Sequence, residues 1–411
     1  MRIKSTLCSG ALALAGFAFV LTTMPSPADA QESTLKWPSD VGTSHFGTLG
    51  NKLERLSGAW IRPHPGPFVW GWSEISSGRY NWSGTDRWVR KWQRRRLAVL
   101  VTIWPFAEWD QELCNSSLAK ARNLPKFLSR KPGVGQRLYS PCNPGAYASW
   151  LSAAVERYDG DGIGDMPSLL YPIRHWEVGN EPDMQGPILT LFQGNSESYL
   201  HLLELSYKTI KSTDSNAVIL PAAPGTMHGA LEYFKPIFGG GTNYFDVGNM
   251  HSLQGDDDFL ASEYQGLLED AGEKNKPFWI TEAGVFMRGK PLEQEKLAEL
   301  LIPNYASAFA NGAHVVFKLQ RGHSSGQVLE TCLLMAQTFG NFSAVNKMAD
   351  NAIQFDIPDG QKVFALWEGA KLPRGVTGKV KVIDYTGAES ITEAARVLAR
   401  VPILVIVKKI E

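Results

Sequence analysis

Net charge is the first thing this sequence does without. Its 411 residues carry 41 Lys plus Arg against 41 Asp plus Glu. The whole chain therefore offers no basic field to neutralise phosphates, and nucleic-acid binding has no electrostatic support. Cysteine is scarce as well, at four residues, and the spacing fits no zinc site. No glycine-rich phosphate loop follows any strand-like run, which removes the defining element of a dinucleotide-binding fold. Beyond residue 30 no segment is apolar enough to span a membrane. The hydrophobic fraction, 44%, is ordinary, so the chain is not a disordered one. The surplus lies in tryptophan: 13 residues, whose flat apolar faces are surfaces on which sugars and other aromatics stack.

The N-terminal segment reads as an address. Arg2 and Lys4 precede a small, apolar run from Leu7 to Leu21, and Ala28-Asp29-Ala30 places small residues where a signal peptidase reads. The expectation is a signal peptide over 1–30 and a secreted or periplasmic protein, because a run of about 15 residues is short of the roughly 20 that span a bilayer. In an oxidising compartment thiols pair. Cys114 and Cys142 bound one polar, basic segment containing Pro and Gly and are expected to form a disulfide. Cys332, in the apolar stretch Thr331-Cys332-Leu333-Leu334-Met335, reads as a buried free thiol.

From about residue 38, apolar or β-branched runs alternate with amphipathic stretches. Strands are expected near Val41 to Phe46, Ala59 to His64, Leu97 to Trp104, His175 to Asn180, Ala217 to Ala222, Tyr244 to His251, Pro277 to Thr281 and His314 to Leu319. Between them, Asp86 to Arg95 puts Trp88, Val89 and Trp92 on one helical face, and Tyr199 to Ile210 does the same with Leu202, Leu203 and Ile210. Eight strand-then-helix units with buried-type strands predict an α/β fold, a TIM (β/α)₈ barrel, over 31–348. After about Ala349 the runs become short and strand-like. Ala352 to Ile357, Lys362 to Trp367, Gly378 to Asp384 and Val401 to Val407 predict a small C-terminal all-β domain over 349–411, with a short helix possible at Thr392 to Leu398.

In such a barrel the reacting groups sit at the C-terminal ends of strands. Strand four closes on Trp176-Glu177-Val178-Gly179-Asn180-Glu181-Pro182, and strand seven on Trp279-Ile280-Thr281-Glu282-Ala283-Gly284. Two carboxyls about 5 Å apart cannot both ionise easily, so one keeps a proton to donate while its neighbour attacks. Asn180 precedes Glu181 and turns to the other side of the strand unless the backbone is irregular there. Arg62 ends strand two as a candidate to hold a reacting carboxylate or to pair with Glu177; His64 and Trp104, ending strands two and three, and His251, ending strand six, are candidates to line the substrate site. Trp70, Trp72 and Trp109 stand in loop contexts as stacking candidates, whereas Trp88, Trp92 and Trp150 stand at helical spacing as core candidates.

Asn-Glu-Pro after strand four with Glu after strand seven resembles the retaining glycoside hydrolases of clan A. Arg62, Trp72-Ser73-Glu74-Ile75, Gly78-Arg79-Tyr80-Asn81-Trp82 and Asp86 resemble the stretch those enzymes carry after strand two. The likeness covers most of 38–345, and the added β domain resembles that of family 39, the β-xylosidase-like group. It implies Glu181 as acid/base, Glu282 as nucleophile and Asn180 on the sugar 2-hydroxyl. The chain departs from the clan at Leu253, where a Tyr commonly orients the nucleophile, and at Phe317-Lys318-Leu319-Gln320-Arg321, where a Trp commonly lies beneath the sugar. Lys318 or Gln320 could instead bond an acidic or decorated sugar.

Asp159-Gly160-Asp161-Gly162-Ile163-Gly164-Asp165 alternates acids like a calcium loop, but Ile163 stands where an EF-hand needs oxygen and no Glu follows at the twelfth position. No metal and no cofactor is expected. The predicted activity is hydrolysis of β-glycosidic bonds in a polysaccharide or oligosaccharide by double displacement. A carbohydrate-binding surface protein on an impaired barrel and a transglycosylase stand as alternatives.

Overall fold

Strands such as Ala98–Ile103 and Val218–Pro221 run apolar almost without interruption, which suits a sheet covered on both faces. The computed structural model describes residues 35–49, 58–129, 132–186, 189–225, 227–253, 257–284, 293–318 and 326–408. The expected signal segment lies outside them, as do the stretch following the first strand and Leu319, Gln320 and Arg321. Eight parallel strands are β1 (Phe46–Thr48), β2 (Trp60–Ile61), β3 (Ala98–Ile103), β4 (His175–Val178), β5 (Val218–Pro221), β6 (Gly248–Ser252), β7 (Phe278–Ala283) and β8 (Ala313–Lys318). Their order is β5-β4-β3-β2-β1-β8-β7-β6. The two ends of this sheet meet, because Ile219 accepts from the Asp246 and Val247 N–H groups and the Asp246 carboxylate accepts from the Ile219 N–H at 2.8 Å. The result is a nearly closed TIM barrel.

Helices α1 (Ser83–Gln93), α2 (Pro144–Glu156), α3 (Ser196–Thr213), α4 (Met227–Gly239), α5 (Ala261–Asp270), α6 (Gln294–Ala310) and α7 (Gln327–Phe339) follow β2 to β8 in turn. Asn143 and Asn195 cap α2 and α3 by accepting from the Ala146 and Ser198 N–H groups, which satisfies donors that the first turn leaves open.

Side chains two residues apart on a strand share a face. Trp60, Leu100, Val247 and Trp279 belong to one apolar cluster inside the barrel, with Leu220 and Phe317. Arg62, Thr102, Asn249 and Thr281 lie two positions further toward the C-terminal ends, and all are buried. An apolar floor thus carries a polar layer, and the site stands on it.

Six antiparallel strands form the C-terminal sheet: β9 (Ala344–Ala349), β10 (Ala352–Asp356), β11 (Lys362–Leu366), β12 (Lys379–Asp384), β13 (Glu389–Glu393) and β14 (Ile403–Val407). They run in the order β9-β10-β11-β14-β12-β13. The sheet takes in β9, ahead of the expected start at 349, and the expected short helix is a single 3₁₀ turn, Ala394–Arg396. Strand one also shifts, from the expected Val41 to Phe46 onto Phe46–Thr48, because Gly42 adopts a left-handed φ of 69° and breaks the extension. Strand six starts late because Gly241–Tyr244 winds into a 3₁₀ turn.

Candidate active site

Gly179 and Glu181 shape the loop that leaves β4. Both take positive φ, 82° and 41°, and for Glu181 this is a strained choice that functional positions show more often than ordinary ones. The two reversals cancel the alternation of an extended strand. Asn180 and Glu181 consequently both reach the barrel mouth: Asn180 Oδ1 accepts from Arg62 Nη2 at 2.5 Å, and Glu181 Oε1 lies 2.8 Å from His251 Nδ1.

Arg62 is the centre of the network. Its Nε donates to Glu177 Oε2 at 2.7 Å and its Nη1 to Glu282 Oε1 at 2.8 Å, with the guanidinium wholly buried. Burial works against its charge, but the Glu177 and Glu282 carboxylates outweigh that and raise its proton affinity. Glu177 is saturated in turn, accepting from Thr102 Oγ1 at 2.6 Å, Asn249 Nδ2 at 2.7 Å and Thr281 Oγ1 at 3.1 Å. Glu177 therefore serves to hold Arg62, and Arg62 holds Glu282.

His64 and His251 sit near the same carboxylates in opposite states. Burial, aided by the Arg62 and His251 charges, pushes His64 well below the usual histidine range. It is a neutral ring whose Nδ1 accepts from Arg62 Nη1 at 3.3 Å, so its 3.8 Å approach to Glu282 is not an ion pair. For His251, burial pulls down, but the charge of Glu282 and the bond to Glu181 raise its proton affinity overall. Its other nitrogen contacts Thr281 Oγ1 at 3.0 Å. Oxygens of Glu181 and Glu282 and a nitrogen of His251 all lie within 4.8 Å of one another.

Of the residues singled out in the sequence, Arg62, His64, Glu177, Asn180, Glu181, His251 and Glu282 come together here. Trp104 borders them, its ring 5.9 Å from that of His64 and its Nε1 donating to Pro65 O at 2.6 Å. Lys318 is placed differently. Phe317 faces the barrel interior, alternation turns Lys318 toward the helix layer, and its charge acts on the buried Cys332 thiol of α7. Burial still pushes that thiol up to about 11, the behaviour of an inert core cysteine.

Two tryptophan readings are corrected. Trp70 is fully buried, donates to Glu74 Oε2 at 2.5 Å and packs edge-on against Trp109 at 5.2 Å, while Trp109 Nε1 donates to Glu74 O. Both are structural. Trp88, expected in the core, is 39% exposed. Trp72 is half-buried and lines a cleft with Trp88. Thr102, Asn249, Thr281 and Asp183 were not singled out. The first three could have been found by counting two residues on from an apolar interior position. Asp183 lies two residues past Glu181 and accepts from the Gly225 N–H at 2.9 Å. Burial pushes its carboxyl up to about 6, with the Glu181 charge adding to the effect and the Gly225 N–H opposing it.

The long segment after β3 is fastened twice. Cys114 and Cys142 form a disulfide, and the buried Asp110 accepts from the Cys142 and Asn143 N–H groups at 2.8 Å each. Elsewhere, Glu156, Asp159 and Asp161 bring oxygens within 4.8 Å of one another. Asp161 accepts from the loop's own Ile163 N–H at 2.7 Å, and burial pushes Asp159 up to about 8.

The fold is shared with solved glycoside hydrolases. A family 39 β-xylosidase from Caulobacter crescentus superimposes with a TM-score of 0.57 at 11% identity, over 92% of this chain and 98% of that one. A glucosidase from Croceicoccus marinus gives 0.56 at 10% identity, over 86% and 90%. The catalytic domain of the family 30 xylanase C from Talaromyces cellulolyticus gives 0.51 at 15% identity, over 85% and 87%. No family model and no curated protein matches the sequence. At these identities the likeness is one of fold.

Proposed function

We propose that this protein is a secreted retaining glycoside hydrolase that cleaves β-glycosidic bonds in an oligosaccharide or polysaccharide. The observation that carries the reading is the approach of Glu181 and Glu282 oxygens to within 4.8 Å, at the ends of β4 and β7. Retaining enzymes keep their two carboxyls about 5–5.5 Å apart, whereas inverting ones leave about 6.5–9.5 Å for a water. Arg62 occupies Oε1 of Glu282, leaving Oε2 to attack the anomeric carbon. Glu181 gives a proton to the departing glycosidic oxygen as that bond breaks. A glycosyl ester on Glu282 results. Glu181, now a base, takes a proton from water, which displaces Glu282 from the anomeric carbon, and the two inversions restore the starting configuration.

Supporting groups fall into place around that sequence of steps. His251 faces Glu181 at 2.8 Å and keeps a proton beside the acid. Asn180 spends its oxygen on Arg62 and has its N–H groups left for a sugar hydroxyl. Arg62 supplies the fixing of Glu282 that a strand-six Tyr commonly gives, with Leu253 in that position. A barrel that only binds glycans has no use for a strained Glu181 next to an anchored Glu282. The disulfide is in keeping with the oxidising compartment that the N-terminal segment implies.

The test follows anomeric proton signals while the full-length protein is offered a panel of β-linked glycans. The first product should carry the starting configuration, and an inverted first product overturns the double displacement. Glu282→Ala should lower turnover at least about a thousandfold, with azide restoring part of it as a glycosyl azide. Undiminished turnover in that variant removes Glu282 as the nucleophile.

A further inference from the structure

This chain keeps most of its largest indoles out of water. Trp70, Trp92, Trp104, Trp150 and Trp176 are each less than 2% exposed. Trp88 departs from that pattern at 39%, although it sits in a regular helix whose buried positions are Thr85, Val89, Trp92 and Gln93. That exposure leaves part of an indole face open to contact with a ligand.

Trp88 is one wall of an open cleft of about 530 Å³. The opposite side is the loop from Pro65 to Pro67, with Trp72 beside it. That loop begins directly after His64, whose Nδ1 is 3.8 Å from Glu282, and it is pinned by Trp104 Nε1 at Pro65 O. One rigid turn thus separates the catalytic carboxylates from the cleft. Polar lining comes from Asn81, Ser83, Thr85, Arg87 and Lys91, and among the described residues no acidic side chain lines the cleft. The neighbouring acid, Asp86, is turned away and accepts from Arg157 at 2.9 and 2.7 Å and from Tyr158 at 2.8 Å. Arg87 is exposed at the rim, and the Lys91 ammonium stands 5.5 Å from the centre of the Trp88 ring. In a chain of zero formal charge, this spot is locally positive.

We propose that the cleft is a glycan subsite outside the catalytic pair and that its occupant is a sugar unit bearing a carboxylate, a uronate in the chain or on a branch. The proposal deepens the glycosidase reading and rests on it for the nature of the polymer. A volume of this size suits one or two pyranose rings. Trp88 and Trp72 offer flat faces to the C–H side of such a ring. The Arg87 guanidinium matches a carboxylate in shape and charge, which a neutral sugar does not reward. Specificity for an acidic unit therefore resides in Arg87 and stacking energy in Trp88.

The test measures binding without turnover. Full-length protein carrying Glu282→Gln is titrated calorimetrically with β-linked tetramannuronate and, separately, with mannotetraose, its β-linked neutral counterpart. The uronide should bind at least tenfold more tightly than the neutral tetramer at low salt. Arg87→Gln should abolish that preference, Arg87→Lys should restore part of it, and Trp88→Ala should weaken uronide binding at least tenfold, with melting temperatures of the surface variants unchanged. Equal binding of the two tetramers, or uronide binding unaffected by Arg87→Gln or by Trp88→Ala, overturns the proposal. Because no step of this measurement needs hydrolysis, failure of the glycosidase reading shows up separately, as absence of turnover in the unaltered protein.

Discussion

A buried charge must be matched on every side, and Arg62 shows how this site does it. Its three donating nitrogens each meet a different acceptor, on Glu177, Glu282 and Asn180, so Glu282 and Asn180 are fixed through one side chain. Asp183 presents the opposite case, a half-buried carboxyl with few donors. Its folded-state value of about 6 stands above its unfolded value near 3.8. Its stabilising contribution is therefore complete below about pH 4 and is lost as pH rises through about 6. Asp183→Asn keeps an acceptor for the Gly225 N–H without the charge. It should leave stability at pH 4 unchanged and raise it at pH 7.5 by about 1–2 kcal/mol, since a tenfold change in proton affinity corresponds to about 1.4 kcal/mol. Urea unfolding at the two pH values measures this, and an equal effect at both removes the titration argument. Glu181, Glu282, Arg62 and His251 were legible because charged residues at strand ends are uncommon in an apolar context. Asp183, in a loop after Pro182, looked like any surface acid.

At the scale of elements, position on a face decided more than residue type. Helix α1 buries Thr85, Val89, Trp92 and Gln93, and Trp88 lies one residue, about 100° of rotation, away from Val89. Reading Trp88 as core treated neighbours in sequence as neighbours in space. Lys318 failed by the same kind of step, with one residue separating the interior face from the helix layer. The end of β4 was the opposite: Asn180 and Glu181 looked incompatible on one strand, and the answer lay in Gly179. A Cβ at Gly179 would meet only Tyr199 and Ala222 at ordinary contact distances, 3.7 and 3.8 Å, so the demand there is for its φ of 82° and not for space. Gly179→Ala should therefore cost only about 1–2 kcal/mol of stability, while displacing Glu181 and Asn180 should lower kcat about a hundredfold. Paired melting and kinetic measurements check the split; a loss of activity no larger than the loss of folded protein would sink it.

On the scale of the whole molecule, the barrel and the C-terminal sheet are built around shared aromatic rings. Phe355 of β10 stacks on Phe339 of α7 at 4.3 Å and meets Phe309 of α6 edge-on at 6.4 Å, and all three belong to the main hydrophobic cluster. Composition showed that a β segment follows the barrel, but a sequence carries no mark of which outer faces of α6 and α7 it covers. Within the sheet, β14 lies between β11 and β12, so the last strand joins the two halves instead of extending an edge. Phe355 is fully buried, and truncating such a ring typically costs about 3–5 kcal/mol. If the sheet were a separate folding unit, Phe355→Ala would split the unfolding into an early transition for the sheet and an unchanged one for the barrel. With the core shared, the whole chain should still unfold in one transition, now at lower temperature, and turnover should vanish along the same curve as the near-ultraviolet dichroism. Turnover that survives to the original melting temperature would show that the sheet merely leans on the barrel.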